Sequence, residues 1–138
     1  MSRSDRSTAS IPATGDRARA ALAITQVRTF GKDHRNLRGK YKSRVVDLGL
    51  MIRQNGLINA LVFVRSREAE VGAALSDQIR ARLADSKLLG DKDADLLAHL
   101  AGIDEADFLR LQNEAMLHVG WLKRLAVVEF QDVQADRD

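Results

Sequence analysis

The sequence predicts an all-α protein, a compact single-domain bundle of about five to six helices. Three observations lead there. Apolar residues recur at i, i+3, i+4 and i+7 over most of the chain instead of alternating. Only one proline, Pro12, occurs in 138 residues, so no ring clash breaks a helix downstream of it. Alanine, leucine and arginine are abundant, whereas aromatic residues make up 4%. A chain of this length supports one domain with a real core but not two. Its 45% apolar and 30% charged residues fit a globular protein and exclude a disordered one.

The elements follow in order. Residues 1–13 are rich in Ser, Thr and Arg and are expected to be a flexible segment ahead of a helical domain over 14–131. Thr14 is the expected N-cap of a first helix whose face is Ala20, Ala23, Ile24, Val27 and Phe30, with Gly31 as its stop. A second helix runs from about residue 36 to Asn55, on the spacing of Tyr41, Val45, Leu48 and Ile52. The stretch "QNGLINALVFV" (54–64) then carries an Asn-Gly pair, a common hairpin signal. A hairpin needs a strand on each side, and the residues before Asn55 have helical period. Asn55-Gly56 therefore reads as a helix terminus requiring positive φ, followed by a short helix on Leu57, Ala60, Leu61 and Val64. A fourth helix carries Val71, Leu75, Ile79 and Leu83. Asp93 or Asp95 caps a short fifth through Leu96, Leu97 and Leu100, ended by Gly102. Asp104 opens a long last helix with acidic residues in its first turn. One of its stripes is Phe108, Leu111, Ala115, Val119, Leu122 and Ala126, and a second is Leu117, Trp121, Leu125 and Val128. Two stripes imply broad burial or a surface shared with a partner. Residues 132–138 form a polar tail.

Catalytic chemistry finds little support. With no cysteine there is no disulfide or thiolate. His34, His99 and His118 are scattered, without metal-ligand spacing. Asp91, Asp93 and Asp95 resemble the start of a calcium loop, but Leu96 and Gly102 stand where glycine and glutamate are required. No glycine-rich phosphate loop is present and no serine has a nearby base. The expectation is a non-enzyme with no cofactor and no metal. No apolar stretch is long enough for a bilayer, and residues 1–17 lack a signal-peptide centre, so a cytoplasmic protein without membrane contact is expected.

Charge is the informative quantity. Residues 1–67 hold 14 Lys/Arg and 4 Asp/Glu, a balance of +10, and residues 68–138 hold 8 and 15, a balance of −7. Either the basic half meets a polyanion or the two halves attract each other. The basic set Arg28, Lys32, Arg35, Arg38, Lys40, Lys42, Arg44 and Arg53, with Lys123-Arg124 after Trp121, suits phosphate contacts. A DNA-reading helix-turn-helix is disfavoured, because the helix after Gly56 is too apolar for a groove.

Two stretches resemble the small subunit of the type III-B CRISPR effector, the Cmr complex: "KYKSRVVDLGLMIRQNGLINALVFVRSR" (40–67) and "NEAMLHVGWLKRLAVVEF" (113–130). The shared features are Tyr41-Lys42-Ser43, Gln54-Asn55-Gly56-Leu57, and Glu114-Ala115 leading to Trp121-Leu122-Lys123-Arg124. This resemblance implies a non-catalytic subunit that stacks along repeated backbone subunits, beside further copies of itself and the guide RNA. Its expected RNA contacts, with guide and target, are Arg38, Lys40, Lys42, Arg44, Arg53, Lys123 and Arg124. Tyr41, Gln54, Asn55, Gly56, Leu57 and Trp121 are expected to be structural, the last as a buried anchor. A type III-A small subunit, a helical DNA-binding regulator and a helical adaptor using the acidic half are the alternatives.

Overall fold

The computed structural model of the chain describes residues 11–90 and 95–135, and for 11–14 the backbone alone. The described residues form six α-helices and a 3₁₀ turn, with no strand. They are α1 (Ile11–Asp33), a 3₁₀ turn (Arg35–Leu37), α2 (Arg38–Asn55), α3 (Leu57–Arg67), α4 (Ala69–Asp85), α5 (Leu96–Gly102) and α6 (Glu105–Glu129). The all-α bundle of about five to six helices is thus the fold observed. Residues 1–10 and 136–138, assigned above to the N-terminal segment and the tail, lie outside the described residues, as do Asp91 and Asp93.

Two expected boundaries are corrected at α1. It starts at Ile11, before Thr14, with Pro12 in a first turn that needs no backbone donor. It also continues past Gly31 to Asp33. Gly31 is needed for space, not as a stop: a Cβ there would collide with the ring of Phe130. Gly72 does the same for α3 and α4, since a Cβ would come within 2.6 Å of the Val64 carbonyl oxygen.

The predicted apolar faces become the core. Tyr41, Val45, Leu48 and Ile52 of α2, Leu57, Ala60, Leu61 and Val64 of α3, and Val71, Leu75, Ile79 and Leu83 of α4 are all buried. Between α2 and α3 the chain turns at Gly56, with φ 87° and ψ 165°. The positive φ was expected. The ψ places the residue in a mirror-extended region that essentially only glycine occupies. The turn hands α3 an N-terminus without a side-chain cap of its own, and Gln112 of α6 supplies one, its Oε1 accepting from the Leu57 N–H at 2.8 Å. Asp95 and Asp104 cap α5 and α6, accepting from Ala98 N and Asp107 N.

Helix α6 packs against α1, α2 and α4. It runs antiparallel to α2, with Gly49 against Val119 and Gly56 against Gln112. It runs in the same direction as α1, with Arg19 meeting Glu114, Gln26 meeting His118, and Gly31 meeting Phe130. Of its two stripes, Leu111, Ala115, Val119, Leu122 and Ala126 are buried. The second is split, with Trp121 and Leu125 partly buried against the core and Leu117 and Val128 43% and 56% exposed. Trp121 is half-buried, which corrects the expectation of a buried anchor. Its indole N–H donates to Asp16 Oδ1 at 2.7 Å, and the Arg124 guanidinium lies 4.4 Å from the ring centre. An indole on a helix edge keeps its polar end toward such partners while its ring packs on the core.

A polar layer runs through the bundle. The Tyr41 hydroxyl donates to Gln78 Oε1 at 2.7 Å, Gln26 Nε2 donates to the Gln78 carbonyl at 3.0 Å, and Gln26 Oε1 faces His118 Nε2 at 2.7 Å. Beside it Glu114 accepts from Arg19 Nε at 2.6 Å and from Arg82 Nε at 2.7 Å. Burial pushes the Glu114 carboxyl up, but the hydrogen bonds from Arg19 and Arg82 outweigh it and hold the group below its ordinary value.

Candidate nucleic-acid interface

Cations become available to a polyanion only if the fold leaves them outside, so the seven expected contacts must be placed one by one. Arg44 is 4% exposed, with Asp47 Oδ2 at 3.4 Å from its NH1. The α2 core face at 41, 45, 48 and 52 includes position 44 by helical spacing, which buries this guanidinium. Lys42 is given to the fold: its Nζ donates to the carbonyls of Phe130 at 3.0 Å and Val133 at 2.6 Å. Carbonyls at and just past a helix end lack helical partners, and a lysine there also complements the dipole. Arg38 is half-buried, 3.5 Å from Asp132 Oδ2 and over the Phe130 ring at 5.6 Å. Lys40 is half-buried. Arg53, Lys123 and Arg124 are exposed.

The seven are therefore not one patch. Arg38 and Lys42 meet at the junction of the α2 N-terminus with the α6 C-terminus. Arg53 and Lys123 flank the middle of the α2–α6 contact. Gly49 and Val119 lie side by side. Arg53 is one turn beyond Gly49 and Lys123 one turn beyond Val119, in opposite directions, about 12 Å apart along the helix axes. Val46 and Leu50, 47% and 52% exposed, share the outer face of α2 with Arg53 by their i, i+4, i+7 spacing.

Much of the charge asymmetry is satisfied within the molecule. Arg19 pairs with Glu114, Arg28 with Glu129 at 3.0 Å and Arg38 with Asp132, each linking the basic half to the acidic half. His34 Nδ1 lies 3.0 Å from Glu70. Sequence reasoning missed these partners, and missed Gln26, Gln78 and Gln112, because periodicity marks faces and not which faces meet. It also passed over Arg65 and Arg67, exposed at the end of α3. Among the described residues no group of three or more His, Asp or Glu side chains is arranged to hold a metal ion. No helix among them is long and apolar enough to cross a membrane.

The motif-bearing residues 40–67 and 113–130 thus form α2, α3 and α6, packed together around Gly56 and Gln112. The family described as "CRISPR-associated protein (Cas_Cmr5)" matches residues 16–129, most of the chain. This chain belongs to the Cmr5 family. Its similarity extends to the "CRISPR system Cmr subunit Cmr5" of Thermus thermophilus, 36% identical over 90 residues, which span 64% of this chain and 74% of the relative. No solved structure matches at a comparable significance. The Cmr5 family match reaches from Asp16, the partner of Trp121, to Glu129, the partner of Arg28. It therefore takes in the α1–α6 ion pairs and hydrogen bonds as well as the two motif stretches up to Glu129.

Proposed function

We propose that this chain is the non-catalytic small subunit of a type III-B CRISPR RNA-guided ribonucleoprotein, the Cmr complex, acting in antiviral defence. In this reading it stacks along the repeated backbone subunits beside further copies of itself. Arg53, Lys123 and Arg124, with Arg38 and Lys40 at the far end of α2, contact the guide–target RNA, while Lys42 and Arg44 serve mainly to hold the bundle. The observation that carries it is the pairing of exposed cations with exposed apolar residues on the helices that bear the family motifs. Arg53 sits with Val46 and Leu50 on α2, and on α6 Arg124 shares a face with Leu117 and Val128 by its spacing, as Lys123 does with Val127. Cations without base-reading groups suit an A-form duplex recognised by its backbone. The DNA-regulator alternative loses ground, because α3 buries Leu57, Ala60, Leu61 and Val64 and puts an apolar Val62, 50% exposed, in the middle of its outer face.

The test is purification of the tagged chain from its host, with sequencing of bound RNA. Repeat-derived guide RNA and large partner proteins are expected. Replacing Arg53, Lys123 and Arg124 by Ala should weaken target-RNA binding by the assembled particle. The same change should flatten its salt dependence, by roughly one in log–log slope for each phosphate that is no longer neutralised. Absence of RNA from particles that contain the backbone subunits overturns the reading.

A further inference from the structure

Arginines of this fold commonly end on a carboxylate, as Arg19, Arg28, Arg38, Arg82 and Arg110 do. Arg124 does not. Its guanidinium lies over the Trp121 ring, 4.4 Å from the centre, and among the described residues no carboxylate pairs with it. Arg124 is exposed, while the ring beneath it is half-buried. The ring is also held at its edge, because the indole N–H donates to Asp16 Oδ1 at 2.7 Å. Gly120, one turn before Arg124, leaves the helix surface bare beside the guanidinium, where a Cβ would stand 3.5 Å from Nη1. The result is a flat cation with an aromatic ring beneath it and an open face above.

We propose that Arg124, stacked on Trp121, is a platform for an unpaired nucleobase of an RNA strand. A guanidinium is planar and weakly hydrated, so its second face accepts a base while the first stays on the indole. Bases stack on arginine planes as they do on aromatic rings. Asp16 favours a base over a phosphate at this spot. Its carboxylate, with 54% of the side chain exposed, repels a phosphate but accepts a hydrogen bond from the amino group of a base. Lys123, exposed and next in sequence to Arg124, supplies a cation for the backbone of the same strand. A base inside a duplex has both faces covered by its neighbours, so the platform selects a base that has left the stack. The inference rests on the RNA reading above and refines it: Arg53 and Lys123 hold phosphates, and Arg124 holds a base.

Trp121 is the single tryptophan of the chain, so tryptophan emission reports on the platform alone. The experiment titrates the full chain with an end-labelled single-stranded octaadenylate and with an abasic strand carrying the same number of phosphates. Anisotropy of the label measures binding, and Trp121 emission measures stacking. Octaadenylate is expected to quench Trp121 saturably and to bind more tightly than the abasic strand. Arg124→Lys keeps the charge and removes the plane. It should weaken octaadenylate binding about tenfold and leave the abasic strand unchanged. Equal affinity for the two strands overturns the platform and leaves the RNA reading standing on its cations. Octaadenylate binding that leaves Trp121 emission constant, or that Arg124→Lys does not weaken, also overturns it. Binding of neither strand overturns the platform too, whereas the RNA reading is decided separately by the RNA recovered with the particle.

Discussion

His118 shows how far a single residue's role depends on what surrounds it. In the sequence it is one of three unconnected histidines. In the fold it is fully buried, with Gln26 on Nε2 and the charged groups Arg82, Glu114 and Arg19 nearby. Gln26 Nε2 is spent on Gln78, so its Oε1 must accept from His118, which assigns the proton to Nε2. Burial first, then the charge of Arg82, lowers the imidazole from 6.5 to about 4. The unfolded chain therefore binds the extra proton at higher pH than the folded one. The stability this histidine contributes is complete above pH 6.5 and is lost as pH falls toward 4, roughly 3 kcal/mol in all. Glu114, held below its ordinary value, adds an acid loss at lower pH. Urea unfolding at pH 7.5 and pH 5 should show the drop, and His118→Gln should flatten it. An equal drop in that variant would assign the acid sensitivity elsewhere. None of this is legible in the sequence, because His118, Gln26, Gln78 and Tyr41 stand on four different helices. Arg44 is the converse case. Its position within the α2 apolar period marks it as inward-facing, while its charge suggests solvent, and the period wins.

Helices are the most readable level. Each apolar stripe names its own element, and Asp95 and Asp104 cap where acidic residues precede an apolar run. The exception is Gly31, where a residue that often ends a helix instead admits an aromatic ring from 99 positions later in the chain. The α2–α3 junction is legible because its requirement is local. Gly56 holds a backbone conformation that an L-residue resists, and a Cβ there would stand 3.4 Å from Gln112 Oε1. Gly56→Ala should cost about 1–3 kcal/mol in denaturant unfolding. Gln54→Ala, at an exposed position just upstream, should stay within about 0.5 kcal/mol. Equal effects of the two would mean that the junction tolerates a side chain.

For the molecule as a whole, the sequence indicates which surfaces exist and not how they are shared out. Seven cations read as one basic surface, but the docking of the α6 C-terminus on α2 engages Lys42 and Arg38, and only a three-dimensional arrangement reveals that. The second stripe of α6 reads as broadly buried or shared, and the fold packs Trp121 and Leu125 partly on the core while leaving Leu117 and Val128 open. Leu117→Gln with Val128→Gln should change unfolding free energy by no more than about 0.5 kcal/mol each, since both are exposed, while reducing recovery of partner subunits in a pull-down. Full recovery would remove this stripe from the assembly surface. The α1–α6 contact has a consequence for how the protein is made. Arg19 waits for Glu114 over 95 residues, Gln26 for His118 over 92, and Arg28 for Glu129 over 101. On the ribosome, the basic first half emerges before the helix that neutralises and caps it has been translated. Until α6 arrives, the nascent chain carries its arginines, and the faces of α1 and α2 that α6 will cover, into a compartment crowded with RNA. Completion of one late helix closes all of those contacts together.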